Sequence, residues 1–338
     1  MTRSAHPPTA LAHRRLALLL VALLAVTLAL SVLIGRYPAP PAMSPAQLFS
    51  DPLAQRLVVN LRLARILAAA LLGMSLGAAG MVLQMIFRNP LVEPGFLGVS
   101  QGAAFGAAFS ILFLSASPFL IQVSATLFAC LGMAGSYLLA RRIRYGGWIL
   151  RLILAGIAVS ALFSAGLGVL KYLADPLTEL PGIVFWMLGG LWSVTWSDVL
   201  YLLPWVVPGL AVVYLLRWRL NLLSLGDETA FSLGAAPERE RALILVAAVA
   251  ATAAVVSVAG IVGWVGLIVP HLARRLFGAD ARRALPAAMM IGAIFCLLCD
   301  ALARTLIAGE IPLGILASLL GALLFILLMA GNAIPLHR

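Results

Sequence analysis

Residues 16–34, LALLLVALLAVTLALSVLI, form an unbroken apolar run of 19 residues with no charge, preceded by Arg14 and Arg15. At 1.5 Å rise per residue, about 20 such residues cross the hydrocarbon core of a bilayer as a helix. A secretory leader is the rival reading, but its apolar core is about 7–15 residues long. The run is therefore read as a first membrane span.

The same signal recurs downstream at 65–85, 95–114, 118–140, 152–173, 199–216, 242–260, 264–276, 284–303 and 311–329. The expected fold class is thus all-α, a polytopic membrane protein of about ten transmembrane helices in a single domain, residues 1–338. The stretch 264–276 is short for a span. Residues 183–191 are apolar but too brief to cross, so they belong at the outer face or re-enter. Composition agrees: 63% of the chain is apolar and 10% is charged, with a mean hydropathy of +1.08. A soluble chain carries about a quarter of its residues charged, because water must solvate its surface.

The net charge of +11 does not indicate nucleic acid. That function needs a solvated basic face, whereas here the arginines lie in short clusters between apolar runs. Those clusters orient the chain. With the N-terminus inside, 17 cationic residues fall inside and six, Arg36, Arg56, Arg62, Arg65, Lys171 and Arg304, outside. This follows the positive-inside rule, makes residues 1–15 a cytoplasmic tail, and with an even number of spans returns the C-terminus to the cytoplasm.

The longest inside loop is 217–241, RWRLNLLSLGDETAFSLGAAPERER. Asp227 and Glu228 follow Gly226, where a helix N-terminus favours negative charge, so a cytoplasmic partner is expected to dock there. Small residues recur at four-residue spacing, Gly73 with Gly77 and Gly102 with Gly106, a pattern that lets helix backbones approach closely.

Chemistry is sparse. There is no phosphate loop of the G-x-x-x-x-G-K-[ST] kind, no H-E-x-x-H and no nucleophile elbow, so no catalytic residue, metal or cofactor is expected. His6, His13 and His337 lie in the tails, and His271 reads as structural. Cys296 and Cys299 form a C-x-x-C within an apolar run and, like Cys130, read as small buried hydrophobes. An ion-coupled carrier places ionisable groups at mid-membrane. Here only Asp300 qualifies, and Arg304 one turn later makes an i, i+4 pair near the outer end. Transport energy is therefore expected from a separate subunit. The alternatives kept open are an ion-coupled secondary transporter and, more remotely, a membrane-embedded enzyme.

Four separated motifs then converge. They are RLARILAAALLGMSLGAAGMVLQMIFRNPLVEPGFLG from Arg62, LNLLSLGDETAFSLG from Leu220, GIVGWVGLIVPHLAR from Gly260, and DALAR from Asp300 followed by EIPLGILASLLGALLF. Over roughly residues 55–330 the chain resembles the permease subunits of bacterial ATP-driven (ABC) importers for iron–siderophores, haem and cobalamin. Ala64 stands where that family has Pro, and Val92 where it has Ala. The resemblance implies inverted repeats of helices 2–5 and 7–10, and a homodimer in the inner membrane. It also implies a cytoplasmic ATPase dimer coupled through Leu225, Gly226, Asp227, Glu228 and Gly234, and an extracytoplasmic binding protein docked on Arg62, Arg65 and Arg304. Asn89, Pro90 and Leu91 match a turn at the inner gate, with Trp148, Ile149 and Leu150 nearby making its closure more apolar. The implied cargo is an iron chelate, a siderophore first, then haem or cobalamin. An oxyanion such as molybdate is the alternative.

Overall fold

The computed structural model describes residues 10–330. Arg3, His6, His337 and Arg338 lie outside the described residues, as does most of the predicted tail. Ten helices form the body: α1 Ala10–Leu33, α2 Leu63–Phe87, α3 Val99–Phe109, α4 Pro118–Arg142, α5 Trp148–Leu173, α6 Trp196–Leu215, α7 Pro237–Ala259, α8 Val265–Phe277, α9 Ala281–Thr305 and α10 Leu313–Ala330. Among the described residues there is no strand, only an isolated bridge between Ile34 and Ala42.

Local chemistry sets the ends. Ser117 caps α4, accepting from the Leu120 amide, with Pro118 in the first turn, where its missing N–H costs nothing. Thr195 and Asp198 form a reciprocal capping box at the start of α6. Asp280 caps α9. Arg88, in the left-handed region at φ 49°, closes α2.

Among the described residues eight helical stretches are long and apolar enough to cross a membrane. Two of the ten predicted spans fall short: α3, even with its extension to Leu114, and α8. Both begin inside the body after a break. The chain returns through Gly98, at φ 79°, to start α3, and through Gly260, at φ 68°, and Trp264, at φ 70°, to start α8.

Other boundaries also moved. The second span starts well before residue 65, in a 36-residue helical stretch, Pro52–Phe87, because Asp51 caps it and Pro52 opens it. Likewise α7 starts at Pro237, so the last five residues of the predicted loop 217–241 are helical. Proline in the first turn and the acids Glu238 and Glu240 beside the positive helix end favour that start. The segment 183–191 overlaps a short helix, Glu179–Leu188.

Packing is centred on α2, which is almost wholly buried. It crosses α9 at Gly73 and Gly292, where a Cβ on Gly73 would lie 2.0 Å from the Gly292 carbonyl oxygen. The other glycine pair acts alike: Cβ atoms on Gly102 and Gly106 would meet the carbonyls of Phe128 and Ser124. Such crossings hold membrane helices together by close van der Waals contact, since lipid supplies no hydrophobic drive between them. The contacts also exchange in a regular way. Helix α2 packs on α8 and α9, while α7 packs on α3 and α4. The first helix of each four-helix unit thus lies against the second and third of the other. That exchange is the contact pattern expected of two inverted repeats offset by five helices.

Candidate functional site

At the end of the molecule where α1 and α9 finish and α2 begins, three arginines predicted to dock a partner come together. Arg65 Nε lies 2.6 Å from Asp300 Oδ1, and its Nη1 lies 2.8 Å from Glu310. Arg304 Nε is 3.0 Å from Asp300 Oδ2, the pair foreseen one turn apart. Arg304 also donates to the carbonyls of Ile34 and Ser31, and Arg62 to those of Val32 and Tyr37. Asp300 is completely buried. Such a carboxylate is tolerated only because two guanidiniums compensate it.

The predicted docking residues are therefore partly spent on holding α1, α2 and α9 together. All three side chains are buried, but they border an opening. With Arg36, Trp192 and Glu310 they line an open cavity of about 230 Å³. Four arginines stand there against two carboxylates, Asp300 and Glu310, so the cavity is suited to an acidic side chain. Arg36 was missed as a member; it donates to the carbonyls of Arg304 and Ala308, a link across 268 residues that no spacing reveals.

The opposite end carries the long loop. It contains two short helices, Arg217–Leu223 and Asp227–Ser232. Gly226 precedes the second at φ 122°, a conformation open to glycine. Gly234 leaves it at φ 81°. Asp227 and Glu228 occupy its first turn, as expected. The Asp227 carboxylate lies 2.7 Å from Arg241 Nη2, and the Arg241 hydrogen bond holds its pKa below the usual carboxylate range. The pair's contribution is thus present above about pH 4 and fades only as acid neutralises Asp227. Arg241 is buried and stacks 4.9 Å above the Trp148 ring, which in turn contacts Phe87 at 6.4 Å. The tip of the loop is apolar and open: Leu225 is 55%, Phe231 74% and Leu233 56% exposed.

Asn89, Pro90 and Leu91 follow α2 directly. The Asn89 side chain accepts from the Leu91 amide at 2.9 Å, and its own amide donates to Gln84. This is a side-chain-closed turn of the kind Asn favours. Arg88 reaches towards Gly226, so the turn and the loop are neighbours. Trp148 is packed against Phe87 and Arg241 within the chain, whereas Leu150 is exposed. Gln84 was not singled out as a site residue. Its amide donates to the carbonyls of Gly266 and Leu267, and its oxygen accepts from Arg274. It thereby ties the end of α2 to the broken start of α8. Its signals were a lone amide ending an apolar helix and its place within the motif that starts at Arg62.

Among the described residues no cluster of His, Cys, Asp and Glu is arranged to hold a metal, and Cys296 and Cys299 are fully buried. What the molecule offers is two specialised faces joined by a glycine-crossed helical body.

Residues 23–331 match the FecCD transport family. The chain belongs to that family. A molybdate import system permease protein, MolB, from Haemophilus influenzae is 38% identical over 313 residues, covering 90% of this chain and 92% of its own. The hemin transport system permease protein HmuU of Yersinia pestis is 40% identical, covering 80% and 82%. A solved structure of a metal-chelate type ABC transporter in an inward-facing conformation superposes with TM-score 0.88 at 38% identity, covering 94% of this chain and 99% of that one. The FecCD chain is accordingly a membrane-spanning permease subunit, and its named relatives are transport subunits rather than enzymes.

Proposed function

We propose that this FecCD permease forms the membrane pathway of an ATP-driven importer for a metal chelate, an iron chelate first, with the loop face in the cytoplasm. The orientation rests on the excess of arginines on that side. The observation that carries the reading is the short helix Asp227–Ser232. The helix and its flanking residues present Leu225, Phe231 and Leu233 to solvent, while Asp227 is tied to buried Arg241. An exposed apolar knuckle on a charged root is suited to a groove on an ATPase subunit. Force on it passes through Arg241 and Trp148 to Phe87, next to the Asn89–Pro90–Leu91 turn. ATP binding and hydrolysis by the partner therefore move the inner end of α2. On the outer side the arginine cavity receives acidic side chains of a binding protein, which delivers the cargo. Iron chelates lead because the hemin and dicitrate permeases, among others, are relatives. A molybdate permease is also a relative, at 38% identity over 90% of this chain, which makes an oxyanion the second reading.

The test is co-purification from gently solubilised membranes. A stoichiometric ATPase is expected with the wild type, and capture is expected to fall about tenfold in a Leu225→Ser/Phe231→Ser/Leu233→Ser variant. The ligand of the co-purifying binding protein then decides between chelate and oxyanion. A chain that purifies alone and transports on an ion gradient would overturn the reading.

A further inference from the structure

Helices α4 and α7 lie side by side, and α6 covers only part of the seam between them. Towards the arginine face α6 is tied to α4: Gln122 donates to Asp198, and Thr126 and Tyr201 hydroxyls lie 2.9 Å apart. Towards the loop face it leans onto α7 instead. There Gly209 sits so close that a Cβ would be 2.7 Å from the Ala247 carbonyl oxygen. The seam left open is a groove of about 370 Å³, walled by Cys130, Ala134 and Tyr137 of α4 and Ala242, Val246 and Ala250 of α7.

Both walls end in an arginine at the loop face. On α4 the spacing 130, 134, 137, 141 keeps one helix face, and the Arg141 guanidinium stands 6.0 Å from the Tyr137 ring centroid. On α7 the spacing 239, 242, 246, 250 does the same, which places Arg239 at the mouth. Both arginines are exposed. Of the acids nearby, Glu240 is engaged by Arg219 at 3.3 Å, and Glu238 lies on the adjoining face of the first turn. From Tyr137 to Cys130 the groove runs about 10 Å along the helix, within the ~15 Å hydrocarbon of one leaflet.

We propose that this groove binds an anionic phospholipid, with one acyl chain between α4 and α7 and its phosphate held by Arg141 and Arg239. Apart from the Tyr137 hydroxyl and the Cys130 thiol the walls are apolar, so they offer little to a polar cargo or to water. An acyl chain fills it, and a charged phosphate matches the two guanidiniums, one at the end of each wall. Each arginine near an anionic headgroup contributes roughly a fivefold preference, so the two together give on the order of 25-fold.

The site is tested on the intact protein in nanodiscs of equal phosphatidylglycerol and phosphatidylcholine, counting lipids retained in native mass spectrometry. The wild type is expected to retain phosphatidylglycerol at least tenfold over phosphatidylcholine. Arg141→Gln/Arg239→Gln, at exposed positions that leave folding intact, is expected to cut that preference at least fivefold. Ala134→Trp, which fills the groove, is expected to lower retention of both lipids. Equal retention in the wild type, or an undiminished preference in the double variant, overturns the proposal. So does an oxidative Cys130–Cys130 cross-link between copies, which would put a second chain in the groove. None of these readouts depends on transport.

Discussion

Asp300 has no exposed surface, yet two guanidiniums lie within 3.0 Å of its carboxylate. Removing it leaves Arg65 and Arg304 buried without a counter-charge, a loss of about 3–5 kcal/mol. Asp300→Ala is therefore expected to lower the thermal transition in detergent and to lose transport in step with it. Lost transport with an unchanged transition would instead mark Asp300 as an ion-coupling group and revive the secondary carrier. Half of this network was legible. Arg304 follows Asp300 by four residues on one helix, and helical geometry alone brings them together. Arg65 is 235 residues away, and only the crossing of α2 and α9 delivers it. The same holds for Arg241 and Trp148: neither sequence neighbourhood suggests that a cation at the start of α7 lies over a ring at the start of α5.

At the scale of elements, long apolar runs revealed the spans because burial in lipid demands about 20 apolar residues regardless of neighbours. The two short helices, α3 and α8, lack that length because each starts inside the protein, where irregular backbone is shielded from lipid. Gly98 and Trp264 mark those starts, and an aromatic residue at positive φ cannot be foreseen from its own identity. The glycine spacing was read as close packing, and the structure agrees: Gly73 meets Gly292 across α2 and α9. Gly73→Ala is expected to cost about 3 kcal/mol or more, since backbone rather than a flexible side chain blocks the added carbon. Gly168→Ala, with nothing within 4 Å of the new Cβ, is the control. Equal yields of folded, monodisperse protein for the two variants would contradict the tight crossing.

For the whole molecule, α5 and α10 bury only a small share of their apolar surface, with Leu154, Ile157 and Leu162 open on one and Leu319, Leu323 and Ile326 on the other. A homodimer seated on these helices predicts that a cysteine at Leu162 or Leu319, in a Cys130→Ser background, cross-links copies on oxidation. One at Leu19 of α1 should not, and the reverse pattern on a non-reducing gel would place the partner elsewhere. The sequence by itself determined the class and the approximate spans, and it carries the expectations of sidedness and of a cytoplasmic partner at the long loop. Each of these depends on local composition measured against a bilayer, which acts on every segment independently. Tertiary structure alone decided which polar groups meet. It joined Asp300 to Arg65, Gln84 to the broken start of α8, and Asp227 through Arg241 to the end of α2. In a medium without water a buried polar group must find its partner wherever the helices cross, however far apart the two lie in the chain.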